Sequence, residues 1–345
     1  MVRALTTLLL IASAGTAGQP QTATVALPPA ALTLGEALAS IQAQTVLTLT
    51  TTLDPKLPLK LERRDGPLWP LLTEVAKASG GRLSVTRMGR GVTVDEVRPY
   101  EFGSVERTPE SIDGAFRVAV KQVACRRDFD TGRSVTEVAL DIHWEPRLPV
   151  FRIDSEPRVT VTTDADPKPR TPTANAGKTA VSGALFTTVV RLDGVPRAAT
   201  KLTLAGKFTV TAAAKMLQFR VADTSKPTTL TQEGVTFTLP TPRKIQDRWD
   251  VPVELVYPPS KVEFESFEAG VWLSRNRLQL IDPAGKPLDP INEDFREAPG
   301  KANLVYRFPA AKVPDGRAGW SLVYETPSPL VEFDVAFTLS NIPLP

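Results

Sequence analysis

Three features of the sequence predict a mainly β, multidomain protein, with a small α+β unit ahead of two antiparallel β-sandwiches. Only two segments, 34–44 and within 66–81, space their apolar residues as a helix does. From residue 98 onward, short runs of alternating apolar and polar residues dominate. The 32 prolines fall between those runs and not in one block, which fits turns joining strands better than disorder. At 345 residues the chain exceeds what a single core usually organises, so two or three domains are expected.

The opening MVRALTTLLLIASAGTAGQPQ sets Arg3 before an apolar run from Ala4 to Ala14, followed by small residues suited to a peptidase pocket. This is the pattern of a signal peptide over residues 1–18. Its apolar run is about half of the roughly 20 residues that a spanning helix needs, and no later segment approaches that length without a charge. A soluble, periplasmic or extracellular mature chain is therefore expected. Cys125 is the only cysteine, so no intrachain disulfide can form and stability must come from burial. Lys plus Arg number 41 against 38 Asp plus Glu, a balance that argues against recruitment of nucleic acid or an anionic membrane.

Residues 23–97 form the expected α+β unit. Thr33 precedes LGEALASIQAQ with Glu36 three residues on, the arrangement of a capping box. Leu34, Ala37, Leu38 and Ile41 then lie on one helical face. The same spacing recurs 34 residues on, at Leu68, Leu71, Leu72 and Val75. That period invites a helical-hairpin solenoid, but the intervening VLTLTTTL and LPLKLE flank Asp54-Pro55 and suit two strands with a turn between them. Pro70 is tolerated only in a helix's first turn and places the second helix's start near Leu68 or Trp69. Gly80 and Gly81 can supply its left-handed stop, after which RLSVTR and GVTVDE read as a hairpin. With TATVAL leading, the order is β-α-β-β-α-β-β, both helices covering one face of a small sheet.

This order, with the LTLGEALASIQAQT helix and the PLKLERRDGPLWPLLTEVAKASGGRLSV half, resembles the secretin and TonB short N-terminal (STN-like) domain of bacterial envelope proteins. The resemblance spans about a fifth of the chain and has no invariant catalytic residue. It implies a periplasmic interaction domain, and hence an envelope protein or an extended peptide strand as partner. Partner strands add to exposed sheet edges, which directs attention to Leu83, Val85, Val92 and Val94 of the hairpin and to Trp69. Trp69 has a second reading, as cover for the core margin.

Beyond residue 97 two sandwiches are expected, over 98–224 and 225–345, each near the size usual for immunoglobulin-like architectures, about 100 residues. AFRVAVKQVACRRDF and SVTEVALDIHWEP surround the turn DTGR as a hairpin. The alternation of Phe116, Val118 and Val120 breaks before Val123, which predicts a bulge. SKPTTLTQEG reads as a polar linker closing the first sandwich. VEFDVAFTL, with Val331, Phe333, Val335, Phe337 and Leu339 on one face, reads as the clearest strand of the second. The tail also resembles a group of exported bacterial proteins with a similar N-terminal module, in its FRVAV…RRD…TG, VALDIHWEPR and DRWDVPVELVYPP…FESF segments.

No catalytic, cofactor or metal constellation emerges. His143, the only histidine, alternates onto a polar strand face near Asp141, where no nucleophile elbow accompanies it. Cys125 at a strand end reads as a small buried residue, and one His with one Cys cannot build a zinc site. DFDTG at 128–132 lacks an acidic residue at the twelfth position of a calcium loop. EFESFE at 263–268 pairs carboxylates that glycosidase chemistry would need to set across a cleft. Two rivals to a binding protein remain. A carbohydrate-binding sandwich would display Trp69 or Trp272, because Trp144, Trp249 and Trp320 look buried. A hydrolase would need a pocket at a domain junction.

Overall fold

The computed structural model describes residues 24–30, 32–85, 91–97, 108–127, 129–172, 177–259, 275–298, 300–313 and 319–345. Among them the chain is mainly β, with two helices and three hydrophobic cores. The expected signal peptide, Asp128, the EFESFE segment and Trp272 lie outside the described residues.

Thr24–Ala26 (β1) and Leu32–Thr33 (β2) lead into helix Leu34–Gln44 (α1). Its capping box forms as the sequence requires: Thr33 Oγ1 accepts from the Glu36 N–H at 3.4 Å, and the Glu36 carboxylate accepts from the Thr33 N–H at 2.8 Å. Thr48–Thr51 (β3), Pro58–Leu59 (β4) and Asp65–Pro67 (β5) precede helix Leu68–Ala78 (α2). Gly80, at φ +71°, then turns the chain into the antiparallel hairpin of Gly81–Val85 (β6) and Gly91–Glu96 (β7). The four spaced apolar residues of each helix share one core with Leu49, Val92 and Val94. The 34-residue echo is thus a pair of helices against strands.

The strands divide into three pieces where one sheet was expected: β3-β7-β6, β1-β5 and β2-β4. Strands β3 and β4 do not pair across Asp54-Pro55. Instead β3 lies parallel to β7, with Leu49 opposite Val92, and β4 pairs with β2. The Pro55 and Leu57 carbonyls accept from the first amides of α1, Gly35 at 2.8 Å and Leu34 at 2.9 Å. That contact folds the 54–57 turn back onto the helix and frees β3 for a parallel partner, whose crossover α2 supplies.

The first β unit contains Glu110–Asp113 (β8), Phe116–Arg127 (β9), Ser134–Trp144 (β10), Val150–Asp154 (β11), Arg158–Thr163 (β12), Lys178–Ala180 (β13), Leu185–Asp193 (β14) and Lys201–Ala213 (β15). One sheet runs β14-β10-β9-β8. The DTGR hairpin is β9–β10, and its bulge falls at Lys121: Ala139 faces Gln122 while Leu140 faces Val120. In the opposing sheet, β11 and β12 lie along the same side of β15, against its C-terminal and N-terminal halves respectively.

The second β unit holds Met216–Val221 (β16), Thr228–Gln232 (β17), Val235–Leu239 (β18), Arg243–Ile245 (β19), Arg248–Val256 (β20), Arg277–Ile281 (β21), Pro287–Leu288 (β22), Asn292–Ala298 (β23), Lys301–Pro309 (β24) and Ser321–Pro327 (β25). Sheets β16-β25-β21-β22 and β17-β18-β20-β24-β23 supply one core that includes Phe219, Phe237, Leu304 and Tyr324. The expected polar linker SKPTTLTQEG is in fact largely β17, which turns through Glu233 and Gly234, both at positive φ, into β18. Threonines that look like linker residues are also good strand formers.

The final strand, Leu330–Pro343 (β26), does not belong to this second unit. It runs antiparallel along the free side of β15, from Leu330 opposite Ala213 to Pro343 opposite Lys201. Val335, Phe337, Leu339 and Ile342 are buried in the first β core. Conversely Met216–Val221, within the span 98–224 expected for the first sandwich, is β16 of the second unit. The second unit is therefore inserted between the last two strands of the first. Where the chain crosses, β15–β16 and β25–β26 run side by side: Ser328 N–H donates to Lys215 C=O at 2.9 Å, and Lys215 N–H to Ser328 Oγ at 3.3 Å. On the outer edge of β26, the amides of Ala336 and Thr338 donate to Asp113 Oδ2 at 2.8 Å and Ser111 Oγ at 3.1 Å. Side chains of β8 thereby cap an edge that would otherwise template another strand.

Candidate interaction surface

The β3-β7-β6 sheet presents two different faces. Leu83 stands opposite Val94 and Val85 opposite Val92, so all four point toward the helices. Val92 and Val94 are buried, whereas Leu83 and Val85 on the border strand are half-buried and pack against the margin of the same core. The other face carries Thr50, Arg82, Ser84, Thr93 and Asp95, with Thr50 and Thr93 hydroxyls 2.9 Å apart. Strand β6 pairs with β7 on one side, and no described strand pairs with its other side.

Of the five residues the sequence singled out, the structure thus brings Leu83 and Val85 to a border that no described strand covers. Val92 and Val94 form core, and Trp69 serves a different contact. Trp69 is fully buried; its Nε1–H donates to the Ala115 carbonyl of the first β unit at 3.0 Å. Its ring centroid lies 6.0 Å from that of His143. Ile112 of β8 also packs on the N-terminal core, and Arg147 donates to the Gln44 carbonyl at the end of α1. Trp69 and His143 therefore meet in the seam between two units.

His143 is accordingly buried, at 4 % exposure, and not the exposed strand histidine that alternation predicts. Alternation places it correctly on the outer face of β10; the cover comes from Trp69, on another unit. Burial first, and then the Arg117 charge, lower its pKa to about 3. Arg117 Nη1 lies 3.4 Å from Nδ1, and Arg117 Nε donates to Glu110 Oε2 at 2.7 Å. An N–H donor on Nδ1 leaves the ring proton on Nε2, and the neutral imidazole acts as a spacer under the tryptophan.

Cys125 is exposed, with its Sγ 3.3 Å from Thr136 Oγ1, where a buried residue was expected. The strand has outrun the core by that point, its last residues being solvent-facing. Trp144, Trp249 and Trp320 are buried in the two β cores. With Trp69 buried as well, the described tryptophans offer no aromatic platform. No three His, Cys, Asp or Glu side chains gather into a metal-binding group among the described residues. No helix among them is long and apolar enough to cross a membrane.

A cleft of about 580 Å³ does open at the junction of the two β units. Arg147, Arg275, Asn276 and Arg277 contribute its polar wall, and Pro149 and Met216 part of its apolar wall. Ser182 lines it too, and among the described residues neither a histidine nor a carboxylate lines it to activate that hydroxyl.

No family model matches the chain, and no curated protein is significantly similar to it. The resemblance of residues 23–97 to the STN-like domain accordingly rests on pattern alone.

Proposed function

We propose that the protein is an exported bacterial envelope component, periplasmic or extracellular, that binds a protein partner through its STN-like N-terminal unit. The partner contributes an extended segment that adds as a further strand to the outer side of β6. The two β units, of immunoglobulin-like kind, act as support and spacer. The observation that carries this reading is the contrast between two borders. Side chains of Ser111 and Asp113 cap the outer edge of β26. The outer edge of β6 has no strand on it among the described residues, and half-buried Leu83 and Val85 flank it. Backbone donors and acceptors on such an edge bring affinity, and apolar neighbours at alternate positions bring selectivity.

A photo-crosslinking side chain placed at exposed Arg82 tests the proposal, with exposed Lys286 in a distant turn as control. In exporting cells, position 82 is expected to capture a discrete envelope protein that position 286 does not, and Val85→Lys is expected to abolish the capture without shifting the melting temperature of the β units. Identical capture from both positions, or capture indifferent to Val85→Lys, would refute it.

A further inference from the structure

The junction cleft has a composition that the binding role of β6 leaves unused. Three guanidinium groups line it, and among the described residues no carboxylate does. Arg147 sits on the 145–149 connection between β10 and β11; Arg275 and Arg277 flank Asn276 at the start of β21. Two of them are held by the framework. Arg147 donates to the Gln44 carbonyl, and Arg275 donates to the Val150 carbonyl at 3.1 Å while lying over the Phe151 ring at 5.2 Å. The carbonyl contact orients the Arg147 guanidinium without neutralising it, and Arg147 has no ion pair among the described residues. Arg277 has one, at 3.4 Å to Asp289, but both side chains are more than half exposed and such a pair is easily exchanged.

Asn276 adds an independent sign. It is only 7 % exposed, and its Oδ1 accepts from Thr326 Oγ1 at 2.8 Å; that hydroxyl in turn lies 2.7 Å from Tyr257 Oη. The Asn276 Nδ2 finds no hydrogen-bond partner among the described residues, a costly state for a buried donor. The orphaned amide and the unneutralised Arg147 guanidinium in one cleft call for the same kind of atom, an anionic oxygen.

We propose that this cleft is a binding site for a small anionic ligand carrying a carboxylate or phosphate, gripped by Arg147 and Arg277, with Asn276 as the neutral donor and Arg275 as a positioned wall. At about 580 Å³ the cleft exceeds a bare inorganic ion and matches the volume of metabolite-sized ligands, whose apolar part would rest on Pro149 and Met216. The site is independent of the β6 border and lies between different units, so either proposal can fail alone.

Titration calorimetry of the full mature chain with citrate and, separately, pyrophosphate tests it, each at ionic strength matched with sodium chloride. Saturable binding of one molecule per chain is expected for at least one probe, and the one that binds identifies the carboxylate or the phosphate as the recognised group. Affinity should fall about 10- to 100-fold in Arg277→Gln, the loss expected for one charge-assisted contact. Arg147→Gln should weaken binding similarly; because Arg147 also touches α1, Arg277→Gln is the cleaner variant. Absence of saturable binding for both probes, or equal affinity in wild type and Arg277→Gln, would overturn the assignment.

Discussion

The N-terminal unit and the second β unit both attach to the first β unit, but by different means. The N-terminal unit is held by side chains: Trp69 against Ala115 and His143, Ile112 on the helical core, and Arg147 at the end of α1. The second β unit is held by backbone, through two adjacent crossings that hydrogen-bond to each other, with Arg275 reaching the Val150 carbonyl beside them. A side-chain seam can be undone by one substitution. A paired crossing cannot, because no single side chain creates it. The contrast separates a unit that can be uncoupled from one inserted between two paired strands of its neighbour's sheet.

The most severe way to probe this contrast is to end the chain after Ser328. Loss of β26 removes Val335, Phe337, Leu339 and Ile342 from the first β core. At roughly 1.5–3 kcal/mol each, their burial rivals the 5–15 kcal/mol net stability of a typical domain. Hydrogen exchange should show residues 201–213 unprotected while β18, β20 and β24 stay protected; a first unit that stays folded would show that the insertion does not matter. Trp69→Ala comes next. It should destabilise the N-terminal unit by about 3–5 kcal/mol, read by denaturant unfolding, with the second β unit unchanged.

The third test uses pH. His143 is neutral in the folded chain down to about pH 3, whereas the unfolded histidine takes up a proton near 6.5. Between those values the unfolded state binds more protons, so stability falls as pH falls, by up to about 1.4 kcal/mol per unit. Arg117, Lys121 and Asp141 surround the ring and set how much of that limit is reached. His143→Gln should flatten the slope over this window relative to wild type, in urea midpoints measured from pH 7 to 4. The smallest effect belongs to Thr33→Ala, which breaks the capping box and should cost about 1 kcal/mol, confined to the N-terminal unit.

Local features of this fold are legible in the sequence, and long-range ones are not. The Thr33–Glu36 box, the two helical faces, the Gly80 stop, the β6–β7 hairpin and the Lys121 bulge each depend on residues close together in the chain. The strand character of VEFDVAFTL is equally plain. Its partner is not, because alternation says which face is buried and never against which sheet. Proximity to β25 argued for the second unit; β15, more than a hundred residues earlier, is the actual neighbour. The site follows the same rule. The hairpin that bears Leu83 and Val85 was visible, while the burial of His143 and Trp69 depends on two units meeting. The arginine cleft gave no signal at all, since its lining comes from four separate stretches of the chain.

The insertion of the second β unit has a consequence for biogenesis. A chain emerging from the ribosome or crossing a membrane N-terminus first delivers β15 long before β26. Residues 216–327 can complete their own core in that interval, because every strand of it is present once β25 has emerged. The unit begun earlier is then completed later, and β15 waits with one border unsatisfied until the last fourteen-residue strand arrives. That exposed border is where a chaperone would be needed, and a chain stalled or clipped near its C-terminus would fail in its middle.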